Sequence, residues 1–451
     1  MIRVLVRMDR YFSIFMLAVL WLCAATAAQA GQIHEFMLDN GLRLIVREDH
    51  RTPVVASQVW YKTGSVFEEA GKTGLAHLLE HMMFKGTQKH PMGEFSRIMA
   101  ENGADENAFT SYDFTAYVQQ LEASRLAVSF ELEADRMQNV VFDAAEFKKE
   151  QQVVLEERRL RTEDDPEALL NELFNASAFQ TSPYHHPVIG WMDDITHTTV
   201  DDVKQWYQRW YSPNNATVVV VGDVEPQAVL ALAKQHFGAI QPFTIKPAPK
   251  RTEVPQYGIK RVTLKRPAKV AKLMMGYKTP SITSQAQAQD WQPYALEVLA
   301  WVLDGGNSAR LSKRVIRGAE IASSLTTDYS LFQRLDGLFI LAGTPSQKAD
   351  VAQLERALRA QIQQVQTQLV SADELQRVKA QLTAGWVFAK DSVYYQAYIM
   401  GQLASLDLDW RLYDDYIQRV SKITPEQVRE VAQKYLIDDG LTVAVLEPQP
   451  L

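Results

Sequence analysis

Two hydrophobic periodicities alternate along this chain. After position 30, Ile33 to Leu38 and Leu42 to Val46 read as strands flanking Asn40-Gly41, a dipeptide suited to the positive φ angles of a two-residue hairpin. Val54 to Trp60 predicts a third strand. From Gly74 the period lengthens, with Leu75, Leu78, Leu79, Met82 and Met83 at helical spacing after a connection containing Gly64, Gly71 and Gly74. A sheet is therefore made first, and an apolar helix packs on it. Glu94 to Asn102 predicts a short helix stopped by Gly103, and Asn107 to Val118, rich in β-branched and aromatic residues, predicts one strand. Helical patterns follow over Ser124 to Asn139, Ala144 to Arg161, Glu167 to Phe179 and Thr196 to Trp210. Ala216 to Gly222 is apolar without alternation, as in a strand covered on both faces.

The pattern then repeats. Ile195-Thr196, Val200 and Val203 are echoed 228 residues later by Ile423-Thr424, Val428 and Val431, and Tyr211 leading to Thr217-Val218-Val219-Val220 is echoed at slightly shorter offsets by Tyr435 leading to Thr442-Val443-Ala444-Val445. At the offset of 228, Ala145-Glu146-Phe147 maps onto Asp373-Glu374-Leu375 at the start of another long helix. Between the copies, residues 242–257 turn to proline, lysine and threonine, the composition of a linker. The expected architecture is α+β: two tandem homologous α/β-sandwich domains, each an antiparallel-rich sheet packed with helices. Their expected bounds are 31–241 and 258–451. A chain of 451 residues is in any case too long for one compact core.

The first thirty residues are of another kind. Arg3, Arg7 and Arg10 precede an apolar run from Phe12 to Ala25 and then Ala28-Gln29-Ala30, which reads as a secretory signal peptide cleaved after Ala30. The only cysteine, Cys23, lies inside it, so the mature chain uses neither a disulfide nor a thiol nucleophile, and a bacterial periplasm is the expected location. Removing the leader's net +2 takes the formal charge from −7 to −9. That acidity, without long basic runs, argues against nucleic acid as partner.

The candidate chemistry lies in the first apolar helix. His77 and His81 are four residues apart and project from one face, with Glu80 beside them, in the inverted His-x-x-Glu-His order. Two imidazoles and one further protein ligand would hold a zinc ion with one position open for water, and Glu80 is placed to take that water's proton. The helical pattern after Ala144 offers Glu150, Glu156 and Glu157 as the missing ligand. Glu150 and Glu157 share a face, whereas Glu156 and Glu157 point about 100° apart, so at most one of the latter two faces the metal. His185-His186, between prolines, reads as a turn. Shifting His77, Glu80, His81 and Glu157 by 228 gives Gly305, Ser308, Ala309 and Gly385, so only the first copy can be a metal site.

With this motif, the Glu150/Glu157 helix, Asn107-Ala108-Phe109-Thr110-Ser111, Pro187-Val188-Ile189-Gly190 and Gly305-Gly306-Asn307-Ser308-Ala309-Arg310-Leu311, the chain resembles the pitrilysin family of metallopeptidases, which includes insulysin and the mitochondrial processing peptidase. The resemblance covers nearly the whole mature chain and implies one Zn2+ bound by His77, His81 and Glu157, with Glu80 as general base and Glu150 as a supporting catalytic acid residue. It implies that Asn107 and Ala108 belong to an edge segment that binds peptide as an added strand. It further implies a metalloendopeptidase built as half of a clamshell. Single-chain members carry an arginine and a tyrosine reaching over from the second half, and the strand where they are expected, Gly337 to Ser346, has neither. The expected partner is therefore a paralogous subunit supplying that wall, with a homodimer as the next choice. A non-catalytic scaffold subunit of the same family is the competing class.

Overall fold

The computed structural model describes residues 31–246, 251–284 and 290–450. The proposed signal peptide, residues 1–30, lies outside the described residues, as does part of the expected linker. Among the described residues no helix is long and apolar enough to cross a membrane.

The first half begins with β1 (Ile33–Met37), β2 (Arg43–Glu48) and β3 (Val54–Tyr61). β1 and β2 form the expected hairpin, and Gly41 takes φ +84° in its turn. Helices α1 (Leu75–Met82) and α2 (Glu94–Glu101) follow, then β4 (Asp105–Thr110) and β5 (Thr115–Glu122). Next come α3 (Leu126–Asn139), α4 (Ala144–Arg158), α5 (Pro166–Ala178), α6 (Met192–His197), α7 (Val200–Trp210), β6 (Ala216–Gly222) and α8 (Pro226–Phe237). The second half contains β7 (Lys260–Pro267), β8 (Lys272–Thr279), α9 (Trp291–Asp304), β9 (Ala322–Tyr329) and β10 (Gly337–Pro345). It ends with α10 (Val351–Thr367), α11 (Ala372–Ala389), α12 (Val393–Ser405), α13 (Leu412–Ser421), α14 (Pro425–Tyr435) and β11 (Leu441–Gln449).

The sheets have the orders β1-β2-β6-β3-β5-β4 and β7-β11-β8-β10-β9. Apart from the extra β1 they are the same sheet, down to the single parallel pair, β2/β6 in one and β7/β11 in the other. The duplication extends to how each sheet is covered. On one face of the first sheet, Leu44, Val46, Val55, Val59, Val218 and Val220 pack on helices of their own half. On the other, Ile45, Ala56, Trp60, Val219 and Val221 meet Val393, Ala397, Met400 and Ala404 of α12, from the second half. In return, Leu170, Phe174 and Ala178 of α5 cover Met274, Leu338, Ala342 and Ala444 of the second sheet. Each half thus lends a helix to the other. This is why β6 is buried at every position and why its sequence does not alternate. The approach is close: a Cβ at Gly401 would lie 2.1 Å from the Trp60 ring, and one at Gly276 would lie 2.3 Å from Phe174.

Three local expectations change. Asn107 to Val118 is not one strand but most of the β4/β5 hairpin, turned by Ser111, whose hydroxyl accepts from the backbone N–H of Asp113 and Phe114. The segment from Thr196 to Trp210 breaks at Thr198, because Thr199 and Asp202 form a capping box that starts α7 afresh. The helix carrying the glutamates ends at Arg158 and continues as a π turn over Arg159–Glu163. The constant offset of 228 also fails in the middle of the repeat: β3 and β8 start at 54 and 272, so the counterpart of α1 is α9, whose Ala295, Val298 and Leu299 are buried and apolar.

Candidate metal centre

α1 is short, and its ends are fixed by tertiary contacts. Gly74, at φ +88°, precedes it, and a Cβ there would sit 2.5 Å from the Ile189 carbonyl. The Pro187–Gly190 segment therefore lies directly against the helix start, which only glycine permits. Buried Glu68 accepts from the backbone N–H groups of Gly74 at 2.8 Å and Ala76 at 2.7 Å, placing an anion at the positive end of the helix. His186 stands 3.6 Å behind that carboxylate and donates from Nε2 to the Ser65 carbonyl at 2.9 Å. His185 bonds the Ser182 carbonyl through Nδ1. The two histidines shape a turn, as expected, and His186 also buttresses the Glu68 cap.

Leu75, Ala76, Leu78, Leu79 and Met82 bury one face of α1, leaving His77, Glu80 and His81 on the other. Opposite them α4 brings Glu157, one oxygen of which lies 3.8 Å from His77 Nε2 and 3.4 Å from His81 Nε2. Ligand atoms of the three residues all lie within 4.8 Å of one another. Two donors around a tetrahedral zinc with bonds of about 2.0–2.1 Å stand about 3.4 Å apart, so these separations fit a small divalent ion and are long for direct hydrogen bonds. Burial, with the charges of His81 and Arg161, pulls the His77 imidazole down to about 3, which keeps it in the neutral form a metal needs. Glu156, on the exposed side, pairs with Arg159 and takes no part.

Around the donors lies a ring of orienting groups. Glu150 reaches His81 Nδ1 at 3.2 Å and is held in turn by Lys85 at 2.6 Å. A carboxylate behind an imidazole fixes which ring nitrogen faces the metal. Glu150 thus stands behind His81 as a positioning group. Arg161, on the π turn, holds the other oxygen of Glu157 at 2.8 Å. Glu80 accepts a 2.5 Å hydrogen bond from the Thr110 hydroxyl, and burial raises its carboxyl above the usual range despite that bond. Thr110 ends β4, the outermost strand of the sheet, paired among the described residues only with β5. Asn107 and Ala108 lie on that same strand, with Asn107 exposed and its side-chain oxygen accepting from the Ala108 N–H at 2.9 Å. Thr110, Lys85, Arg161 and Glu68 were not singled out by sequence; Thr110 stood in the quoted Asn107–Ser111 stretch, but only the fold shows it touching Glu80.

Comparison with known proteins gives the same picture. Residues 43–190 match the family described as Insulinase (Peptidase family M16), and residues 197–382 match the Peptidase M16 inactive domain. The zinc protease PqqE of Helicobacter pylori is 32% identical over 422 residues, covering 91% of this chain and 92% of that protein. An uncharacterised zinc protease of Mycobacterium leprae is 29% identical, covering 94% and 93%. The crystal structure of a protease from Helicobacter pylori superposes with a TM-score of 0.87 at 29% identity over 93% of this chain and all of that one. The periplasmic protease PqqL of Escherichia coli, at 21% identity and TM-score 0.78, shares the fold, and this chain spans 48% of its length. The second match falls largely on the half that lacks the metal donors. With the duplicated sheets, the donor set on α1 and α4, and these relatives, the chain belongs to the insulinase family of peptidases, family M16.

Proposed function

We propose that this protein is a zinc metalloendopeptidase that hydrolyses peptides or unfolded segments of polypeptide inside a chamber closed by a second subunit. The observation that carries the reading is the convergence of His77, His81 and Glu157 on one point, with Glu80 beside it and an unpaired sheet edge alongside. The relatives named zinc proteases favour zinc, with one ion at this peptidase centre.

In this reading His77, His81 and Glu157 would hold the ion, which would supply an acidified water and a Lewis acid for the scissile carbonyl. Glu80 takes a proton from the attacking water and returns it to the leaving amine. Thr110 fixes which of the Glu80 oxygens faces the substrate. Glu150 orients His81. The backbone of β4 around Asn107 and Ala108 pairs with the substrate main chain, which positions a scissile bond without reading much side-chain sequence.

The peptidase domain spans residues 31–241 and the homologous domain 258–451, joined by 242–257. The leader favours the periplasm, in keeping with the likeness to a periplasmic protease of Escherichia coli. A paralogous second subunit is favoured by the absence of arginine and tyrosine from β10 and by the Escherichia coli protein, which is twice as long and whose first half has been solved alone. The test is cleavage of an unstructured peptide by the purified chain, alone and with a paralogous subunit. Cleavage lost on chelation, restored by zinc and absent from His77→Ala supports the reading. A zinc-loaded chain that leaves the peptide intact with and without its partner overturns it.

A further inference from the structure

We propose that the chain carries a second divalent-metal site, formed by Glu48, His50 and Glu225, away from the peptidase centre. Glu48 ends β2, His50 lies in the loop after it, and Glu225 immediately precedes α8. Ligand atoms of the three lie within 4.8 Å of one another. Glu48 Oε2 and His50 Nε2 are 3.3 Å apart, the spacing two donors take around one small ion. The ring of His50 is already oriented, because its Nδ1 meets Asp223 Oδ1 at 2.6 Å, leaving Nε2 toward Glu48. This is the arrangement found at His81 and Glu150, a carboxylate behind a ligating imidazole. The second oxygen of Glu48 is fixed too, 3.2 Å from His34 Nε2 on β1.

Charge supports the same conclusion. Glu48, Asp223 and Glu225 bring three carboxylates together, and among the described residues none of them forms an ion pair with a lysine or arginine. A protonated His50 can bridge Glu48 and Asp223 without any ion, but it leaves Glu225 uncompensated. A divalent cation offsets two of the three negative charges, where the imidazolium offsets one. Mixed nitrogen and oxygen donors in a set this small suit zinc or a neighbouring first-row ion, whereas calcium takes six to eight oxygens.

The position suggests what the ion does. Asp49 and Arg51, on either side of His50, reach across to the second domain: Arg51 pairs with Asp391 at 3.1 Å, and Asp49 accepts from the Gln396 side chain at 2.9 Å. An ion held by Glu48, His50 and Glu225 stiffens the loop that clasps the two domains.

The experiment is titration of the metal-free full-length mature chain with zinc, read as equivalents bound and as thermal midpoint. Wild type binds two equivalents. His50→Ala and the nearly isosteric Glu225→Gln each lose one, His77→Ala loses the other, and the His50→Ala/His77→Ala double variant binds none. Filling the second site raises the thermal midpoint of His77→Ala and leaves that of the double variant unchanged. Saturation of wild type at one equivalent, or retention of two by both His50→Ala and Glu225→Gln, overturns the proposal.

Discussion

Replacing Glu68 tests how the fold holds the helix that carries His77 and His81. The carboxylate is buried and accepts from two backbone N–H groups, those of Gly74 and Ala76, at the start of an eight-residue helix too short to be stable alone. Glu68→Ala strands both donors in a site that water does not reach. Each unsatisfied buried group costs about 1–3 kcal/mol, so the loss is about 2–6 kcal/mol, lessened because the variant no longer buries a carboxylate whose charged form burial disfavours. Glu68→Gln keeps one acceptor oxygen and loses about half as much. Urea denaturation of the metal-free chain reads the change as a lower midpoint at unchanged slope. Zinc affinity reads it locally, since His77 sits in the first turn of the helix that Glu68 caps. A Glu68→Ala variant with wild-type midpoint and wild-type zinc affinity would refute the capping role.

Two further outcomes follow from the orienting groups and from burial. Glu150→Gln, by weakening the carboxylate that fixes the His81 ring, lowers zinc affinity about 10–100-fold in a competition assay with a chromogenic chelator, while leaving the three donors in place. His77 is depressed by burial from 6.5 to about 3, so the folded metal-free chain resists its protonation. The stability this reflects is present above pH 6.5 and falls as the pH drops toward 3, and His77→Gln flattens that part of a stability-against-pH curve.

Much of this was legible in the residues themselves. The Asn40-Gly41 hairpin follows from turn chemistry, and the helix with His77 and His81 on one face and the choice of Glu157 or Glu156 but not both follow from backbone periodicity. The duplication is visible because a capped helix and the buried strand after it recur at nearly the same spacing, about 225–228 residues. Its consequence is not: the apolar faces of α5 and α12 look like those of any surface helix, and only the fold shows that each covers the other half's sheet. The β4/β5 turn was missed because Ser111, Tyr112 and Asp113 interrupt the strand pattern without a glycine or proline, and the turn is made by the Ser111 hydroxyl. Thr110 on Glu80 and Arg161 on Glu157 join residues whose meeting depends on the sheet edge and the π turn, which no local pattern encodes.

In the proposed mechanism Glu80 is the proton-carrying base beside a metal held by His77, His81 and Glu157. The most direct test of that role is zinc content and peptide turnover measured on the same preparation of Glu80→Gln and wild type. The expected outcome for Glu80→Gln is that the peptidase-site equivalent of zinc is retained and turnover falls by about 10²–10⁴-fold, the range for loss of a positioned general base. Wild-type turnover at full zinc content would contradict it.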